Sequence, residues 1–173
     1  MSTEPTIRRE LRPGDLGAIV EHHGRVYGPE YGVDSTFEGH VASTVARAAL
    51  RGFPSPREAI CLVELGGEHV GSLALTDEGD SEATIRWFVL NPEVRGRGLG
   101  RRLLVEMLDK AEEVGYARVG LETFSELEAA AHLYREHGFE VVWEDSAPRW
   151  GRDRVTYQRY ELELPAGVAK LTA

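Results

Sequence analysis

Hydrophobic residues along this chain fall at two spacings, and each change of spacing marks an element boundary. "TIRRELR", residues 6–12, reads as an opening strand stopped by Pro13-Gly14. Leu16, Ile19, Val20, His23 and Tyr27 then follow a helical spacing, with Asp15 placed to cap the helix and Tyr31 in the loop beyond it. Phe37, Val41, Val45 and Ala48 predict a second helix over about 35–51. "EAICLVEL" and "EHVGSLALT" flank Gly66-Gly67, a hairpin signal, and "ATIRWFVL" is a third strand in succession, ended by Pro92. After a run of glycines, Leu99, Leu103, Leu104, Met107, Leu108 and Ala111 mark an amphipathic helix closed by Gly115. "ARVGLET" is a short strand. Ser125 and Glu128 then have the spacing of a capping box for a helix that Gly138 ends. "FEVVWED" and "RVTYQRYELEL" are the last strands. In the second, the apolar phase moves from Val155/Tyr157 to Tyr160/Leu162/Leu164, which predicts a bulge or bend near Arg159.

The resulting order, β-α-α-β-β-β-α-β-α-β-β, mixes hairpins with strand–helix–strand crossovers. It predicts an α/β (α+β) chain whose mixed sheet carries helices on both faces. Residues 1–164 contain no repeat or linker and read as one domain, with 165–173 as a loose tail. A hydrophobic share of 42% and a charged share of 28% are those of an ordinary globular chain. The start "MSTEPTIRRE" has no apolar core, and no run of about 18 apolar residues occurs. A cytoplasmic protein without a membrane partner is the expectation, as a monomer or homodimer. Cys61, the lone cysteine, sits in an apolar run and reads as a buried thiol.

A net charge of −9 argues against nucleic acid as the main partner. Positive charge is nevertheless concentrated at one place. Between Arg95 and Arg102, four of eight residues are arginine and none is acidic. This stretch opens a helix without any Ser, Thr, Asp or Asn to cap it. The first N–H groups of a helix lack internal partners and carry partial positive charge. Glycines at 96, 98 and 100 permit close backbone approach, and Arg97 and Arg101 add charge-assisted donors, so a bound phosphate can serve as the cap. The alternative is a glycine-rich turn in which Gly98 caps weakly and the arginines are solvated. A dinucleotide fingerprint fails because position 101 is Arg, and a Walker loop is absent.

The remaining pattern, [RQ]-x-x-G-x-[GA] between a strand and a long helix, resembles the pyrophosphate loop of the GNAT acyltransferase superfamily over "VLNPEVRGRGLGRRLL". "AAAHLYREHGF", residues 129–139, is similar to the superfamily's later motif A-x-x-L-Y-x-x-x-G-F. The element order resembles its fold, a mostly antiparallel sheet of about seven strands, from about residue 5 to 164. More narrowly, "RPGDLGAIVEHHGRVYGPEYGVD" and "LETFSELEAAAHLY" resemble the acetyltransferase halves of bacterial MarR–GNAT fusions. No winged-helix segment precedes residue 1, so the catalytic half is expected to stand alone.

The resemblance implies direct transfer of an acetyl group from acetyl-CoA to a primary amine, on a small molecule, a lysine or an N-terminus. It implies that the strand ending at Leu90 parts from the one near Thr123, freeing backbone of Phe88, Val89 and Leu90 for the pantetheine arm. Arg95, Gly96, Arg97, Gly98, Leu99, Gly100 and Arg101 would hold the pyrophosphate. Tyr134 lies on the inward stripe with Leu127, Ala130 and Ala131, and the matching tyrosine in the family can protonate the departing thiolate. His23, Tyr27, Tyr31 and Arg86 are the candidate acceptor residues. An amine of solution pKa about 10.4 is neutral roughly once in 2,500 molecules at pH 7, so a base or desolvation must help. Several members carry Glu where this chain has Thr84, and Leu127 replaces a frequent Asn. Glu82 acting through water, or His23, remain as base candidates. His22, His23 and Glu30 make no metal site on paper, because adjacent histidines do not share a helix face. The competing classes are an acyl-CoA sensor that retains the loop with little catalysis and a binder of another nucleotide.

Overall fold

A computed structural model describes residues 4–165. The elements are β1 (Thr6–Arg8), α1 (Asp15–Tyr31), α2 (Ser35–Leu50), β2 (Ala59–Leu65), β3 (Glu68–Gly79), β4 (Glu82–Leu90), a 3-10 turn (Pro92–Val94), α3 (Leu99–Val114), β5 (Arg118–Phe124), α4 (Glu128–Glu136), β6 (Glu140–Arg149) and β7 (Arg152–Glu163). The order is the one the periodicity predicts. One seven-stranded sheet runs β1-β2-β3-β4-β5-β7-β6. Only β4 and β5 are parallel, as their crossover through α3 requires.

Each sheet face carries its own apolar core. Leu103, Leu104 and Met107 of α3, with Ala131 and Tyr134 of α4, pack on Leu73, Ile85 and Leu121. Ile19 and Tyr27 of α1, with Phe37, Val41 and Val45 of α2, pack on Leu62, Trp87 and Phe124. Cys61 is buried, and burial raises its thiol pKa to about 12.

Several local expectations differ from the structure. α1 begins with Gly14 in the left-handed region as its cap, because the Asp15 carboxylate is occupied by Arg8 and by the Arg12 N–H. The helix continues through Tyr31, which is therefore not in a loop. The Ser125–Glu128 capping box does not form: Leu127 occupies the cap position and makes no side-chain bond to the helix. β7 stays in register with β5 past Arg159; an irregularity does fall at Arg159, but the extra residue is on β6, where Val141 pairs with Tyr160 and Trp143 with Arg159. The phase change in β7 instead records two cores. Val155 is buried on the α1/α2 face and Tyr160 on the α3/α4 face. Of the predicted tail, residues 166–173 lie outside the described residues.

Candidate active site

β4 and β5 pair only from Glu82↔Arg118 to Ile85↔Leu121. Beyond that point they part. β4 is pulled toward β3 by a bulge at which Trp87 takes φ +54°, an uncommon backbone for a residue with a side chain. The bulge is pinned by Ser72 Oγ, which donates to the Trp87 carbonyl at 2.6 Å, and by Trp87 Nε1, which donates to Thr44 Oγ1 at 2.9 Å. β5 meanwhile follows β7 to the pair Phe124↔Tyr157. The separation opens a V whose edge at Phe88–Leu90 no longer has a β5 partner.

A cleft of about 320 Å³ runs from this V to the start of α3, lined by Phe88, Val89, Leu90, Gly96, Gly98, Leu99, Gly100 and Arg101 among others. The first backbone bond of α3 joins the Arg102 N–H to the Gly98 carbonyl, so the N–H groups of Leu99, Gly100 and Arg101 have no helical partner. Gly98 caps the helix at φ +75° with no side-chain bond, and the first turn carries no acidic residue. Gly100 faces β4: a Cβ there would lie 3.3 Å from Phe88 Cζ. An uncapped helix N-terminus flanked by Arg97 and Arg101 suits an anionic pyrophosphate.

The arginines divide. Arg97 has no partner among the described residues, and Arg101 donates to Glu136 at the cleft rim. Arg95 lines the first cleft and is also held from outside the loop. Its Nη atoms grip both Glu30 oxygens at 3.0 and 2.8 Å, and its Nε donates to the Leu90 carbonyl at 2.8 Å. Arg95 thereby ties the loop to the end of α1. The Phe88 carbonyl is not free either, because the Tyr27 hydroxyl donates to it at 2.8 Å.

A second cleft passes through the V from the α1/α2 face, with an enclosed volume of about 110 Å³. His23, Phe37, Arg86, Phe124 and Trp150 line its near side, and Ile85, Leu121 and Tyr134 its far side. Tyr27, Phe88, Leu127 and Ala130 line both clefts. The four acceptor candidates therefore separate. His23 and Arg86 lie in the second cleft, Tyr27 is the dividing wall, and Tyr31 lies in the first cleft only.

Tyr134 is 4% exposed, with Phe88, Phe139 and Tyr160 rings around it. Its hydroxyl has no protein partner among the described residues, and burial pushes its pKa far above the usual phenol value. The group is a protonated donor on the wall of the second cleft, one turn of α4 from Ala130, which lines both clefts. His23 Nδ1 donates to the Ile19 carbonyl, 2.8 Å away, and burial lowers its pKa to about 4. Neutral at pH 7, it keeps Nε2 as a possible acceptor when Nδ1 carries the proton. Glu82 lines neither cleft; its carboxylate accepts from Arg118 at 2.8 Å, which removes it as a water-linked base. Sequence reasoning missed Glu122, Thr123, His40 and Trp150, all of which line the second cleft. Thr123 Oγ1 is buried there with no partner. Among the described residues no group of three or more His, Cys, Asp or Glu could hold a metal, and no helix is long and apolar enough to cross a membrane.

A parting strand pair, an uncapped helix N-terminus at one opening and a second cleft entering from the opposite face suit a transferase with two substrates. The profile of the acetyltransferase (GNAT) family matches residues 20–139. The uncharacterized N-acetyltransferase YjgM of Escherichia coli (strain K12) is 32% identical over 146 residues, covering 82% of this chain and 86% of that protein. The protein yncA of Salmonella typhimurium, solved with its cofactor acetyl-CoA, aligns with a TM-score of 0.65 at 21% identity, over 99% of this chain and 100% of that one. The ribosomal-protein-S18-alanine N-acetyltransferase of Escherichia coli aligns with a TM-score of 0.69 at 22% identity, over 98% and 100%. The chain belongs to the GNAT family. It is an acetyltransferase that uses acetyl-CoA as co-substrate.

Proposed function

We propose that this chain transfers the acetyl group to a primary amine by direct attack, with both substrates bound at once in the two clefts. The observation that carries this reading is the shared wall of Tyr27, Phe88, Leu127 and Ala130, which lets an amine in one cleft face a thioester in the other. The S18-alanine N-acetyltransferase among its structural relatives bears an amine acceptor in its name, which agrees.

In this reading Gly96, Gly98, Leu99, Gly100, Arg97 and Arg101 hold the pyrophosphate on backbone N–H groups and guanidinium charge. The bound co-substrate supplies the activated acyl thioester. The unpaired edge at Phe88–Leu90 aligns the pantetheine arm, and an N–H there polarises the thioester carbonyl. Tyr134 donates a proton to the departing sulfur. His23 and the desolvated cleft favour the neutral amine. Kinship to the MarR–GNAT acetyltransferase halves is part of this reading and rests on "RPGDLGAIVEHHGRVYGPEYGVD", with its "HG-x-x-Y" stretch from His23 to Tyr27, and on "LETFSELEAAAHLY". A sensor that binds acyl-CoA without turnover is the second reading, favoured by Glu82 being turned away from both clefts. Acetyl-CoA turnover over a panel of amines, read by free-thiol release, decides between them. Release that depends on added amine supports the enzyme, and tight acetyl-CoA binding with no release supports the sensor.

A further inference from the structure

The cleft between β4 and β5 carries a different spare polar capacity at each end. At the inner end Thr123, 6% exposed, has its Oγ1 buried without a partner, and His23 Nε2 likewise has none among the described residues. A buried orphan of this kind destabilises the fold unless a ligand or water meets it. At the outer end Arg86 and Glu122 each stand one residue beyond the last β4–β5 pair, on neighbouring strands, and line the same cleft. They do not pair with each other. Glu122 accepts from the Tyr157 hydroxyl at 3.0 Å and lies 3.8 Å from Arg159 Nη1, so its charge is already answered. Arg86 is braced from behind: Nε donates to Thr76 Oγ1 at 3.1 Å and Nη2 to Glu78 Oε1 at 3.0 Å, which leaves Nη1 without a partner among the described residues.

What is unspent at the mouth is the Arg86 Nη1 donor: the guanidinium pairs with Glu78 through Nη2 at 3.0 Å, and its remaining nitrogen is open to a further acceptor. A diamine or lysine side chain would need a spare carboxylate there, and Glu122 is not one. An acceptor carrying its own carboxylate close to its amine fits. The walls between are the rings of Phe37, Phe124 and Trp150.

Building on the amine-transfer reading above, we propose that the acceptor is a free α-amino acid with an apolar side chain. Its carboxylate meets Arg86, its amine points inward to Thr123 and His23, and its side chain lies on the aromatic wall. The neutral amine forms a C–N bond to the acetyl carbon and gives up one N–H proton, the C–S bond breaks, and the sulfur leaves with a proton from Tyr134, which the proton released from nitrogen replaces. The products are the N-acetyl amino acid and CoA.

The test compares leucine, methionine and phenylalanine with their amides and their decarboxylated amines, by thiol release, and adds calorimetry of each amino acid into the protein saturated with CoA. At least one free acid is expected to exceed both its amide and its amine by tenfold or more in kcat/KM. Arg86→Gln should raise that acid's KM by about tenfold to a hundredfold while leaving the KM values for the amide and for acetyl-CoA within about twofold. Arg86→Lys, which keeps the charge and loses the fork, should recover part of the loss. Amides or decarboxylated amines used as well as the acids would overturn the proposal, as would an Arg86→Gln variant that affects every acceptor equally. If the acids bind the CoA complex and Arg86→Gln abolishes that binding, the proposal stands even where no acetyl group moves; the transfer reading alone then fails.

Discussion

Tyr134 has Phe88, Phe139 and Tyr160 rings with centroids 5.8 to 6.3 Å away, and its hydroxyl bonds to no protein group among the described residues. Tyr134→Phe therefore keeps the packing and should change stability by no more than about 1 kcal/mol. If the hydroxyl protonates the leaving sulfur, kcat should fall by about 10²- to 10⁴-fold with acetyl-CoA affinity unchanged. Rapid-mixing measurement of the chemical step checks this, and a wild-type rate there would make the residue structural. His23 separates core from pocket in the same way. His23→Ala should raise acceptor KM, because the ring borders the second cleft, and should also lower the melting temperature, because the ring is 4% exposed and meets Tyr27 edge to face. A lowered melting temperature with unchanged acceptor KM would make His23 a core residue only. Tyr134 and His23 were legible in the sequence as members of inward helical stripes. Thr123 was not: in "VGLETF" a threonine between Glu122 and Phe124 reads as ordinary strand alternation, and only the parting of β4 from β5 turns it into a cleft wall.

At the level of elements, the start of α3 carries the cofactor argument. Gly98 sits at φ +75°, where a side chain is strained, although a Cβ there meets nothing within 4 Å. Gly98→Glu should therefore cost the fold about 1–2 kcal/mol of backbone strain. It should reduce CoA affinity by a hundredfold or more through the charge it places at the phosphate position. Calorimetry with circular dichroism measures both, and unchanged affinity would move the pyrophosphate elsewhere. Glu30→Gln tests the tie at the other side of the loop. The Arg95–Glu30 pair is partly exposed, so stability should change by less than about 1 kcal/mol, while acetyl-CoA KM should rise as the loop loses its anchor to α1. Helix and strand identities were readable because hydrophobic spacing is set by which face packs. Helix starts were less so. Asp15 and Ser125 have cap chemistry, yet Asp15 is claimed by Arg8 and no cap bond forms at the start of α4. Arg95 reads as a phosphate ligand from its neighbours in sequence, whereas its ion pair with Glu30, 65 residues away, is invisible to spacing.

The whole molecule is a sheet with a core on each face, opened where its one parallel pair separates, and its titration behaviour follows from what that packing buries. Burial lowers the pKa of His23 and of His69 to about 4. The unfolded chain takes up those protons near pH 6.5, and the folded protein does so only near 4. Between these values the unfolded state binds more protons, so the unfolding free energy falls as pH falls, by up to about 1.4 kcal/mol per unit for each histidine. Asp15 and Glu106, held below the usual carboxylate range by Arg8 and Arg9, extend the loss to lower pH. Urea unfolding at pH 7 and pH 5 should show the drop, and His23→Gln should reduce it; equal stability at both values would mean these rings are not buried neutral. The same architecture makes the kinetic claim that matters most, since two clefts that share a wall allow direct transfer between substrates bound together. Initial rates measured with acetyl-CoA and an amine acceptor both varied test it most directly. The account predicts double-reciprocal lines that intersect. Parallel lines, the pattern of a covalent acetyl-enzyme, would contradict it.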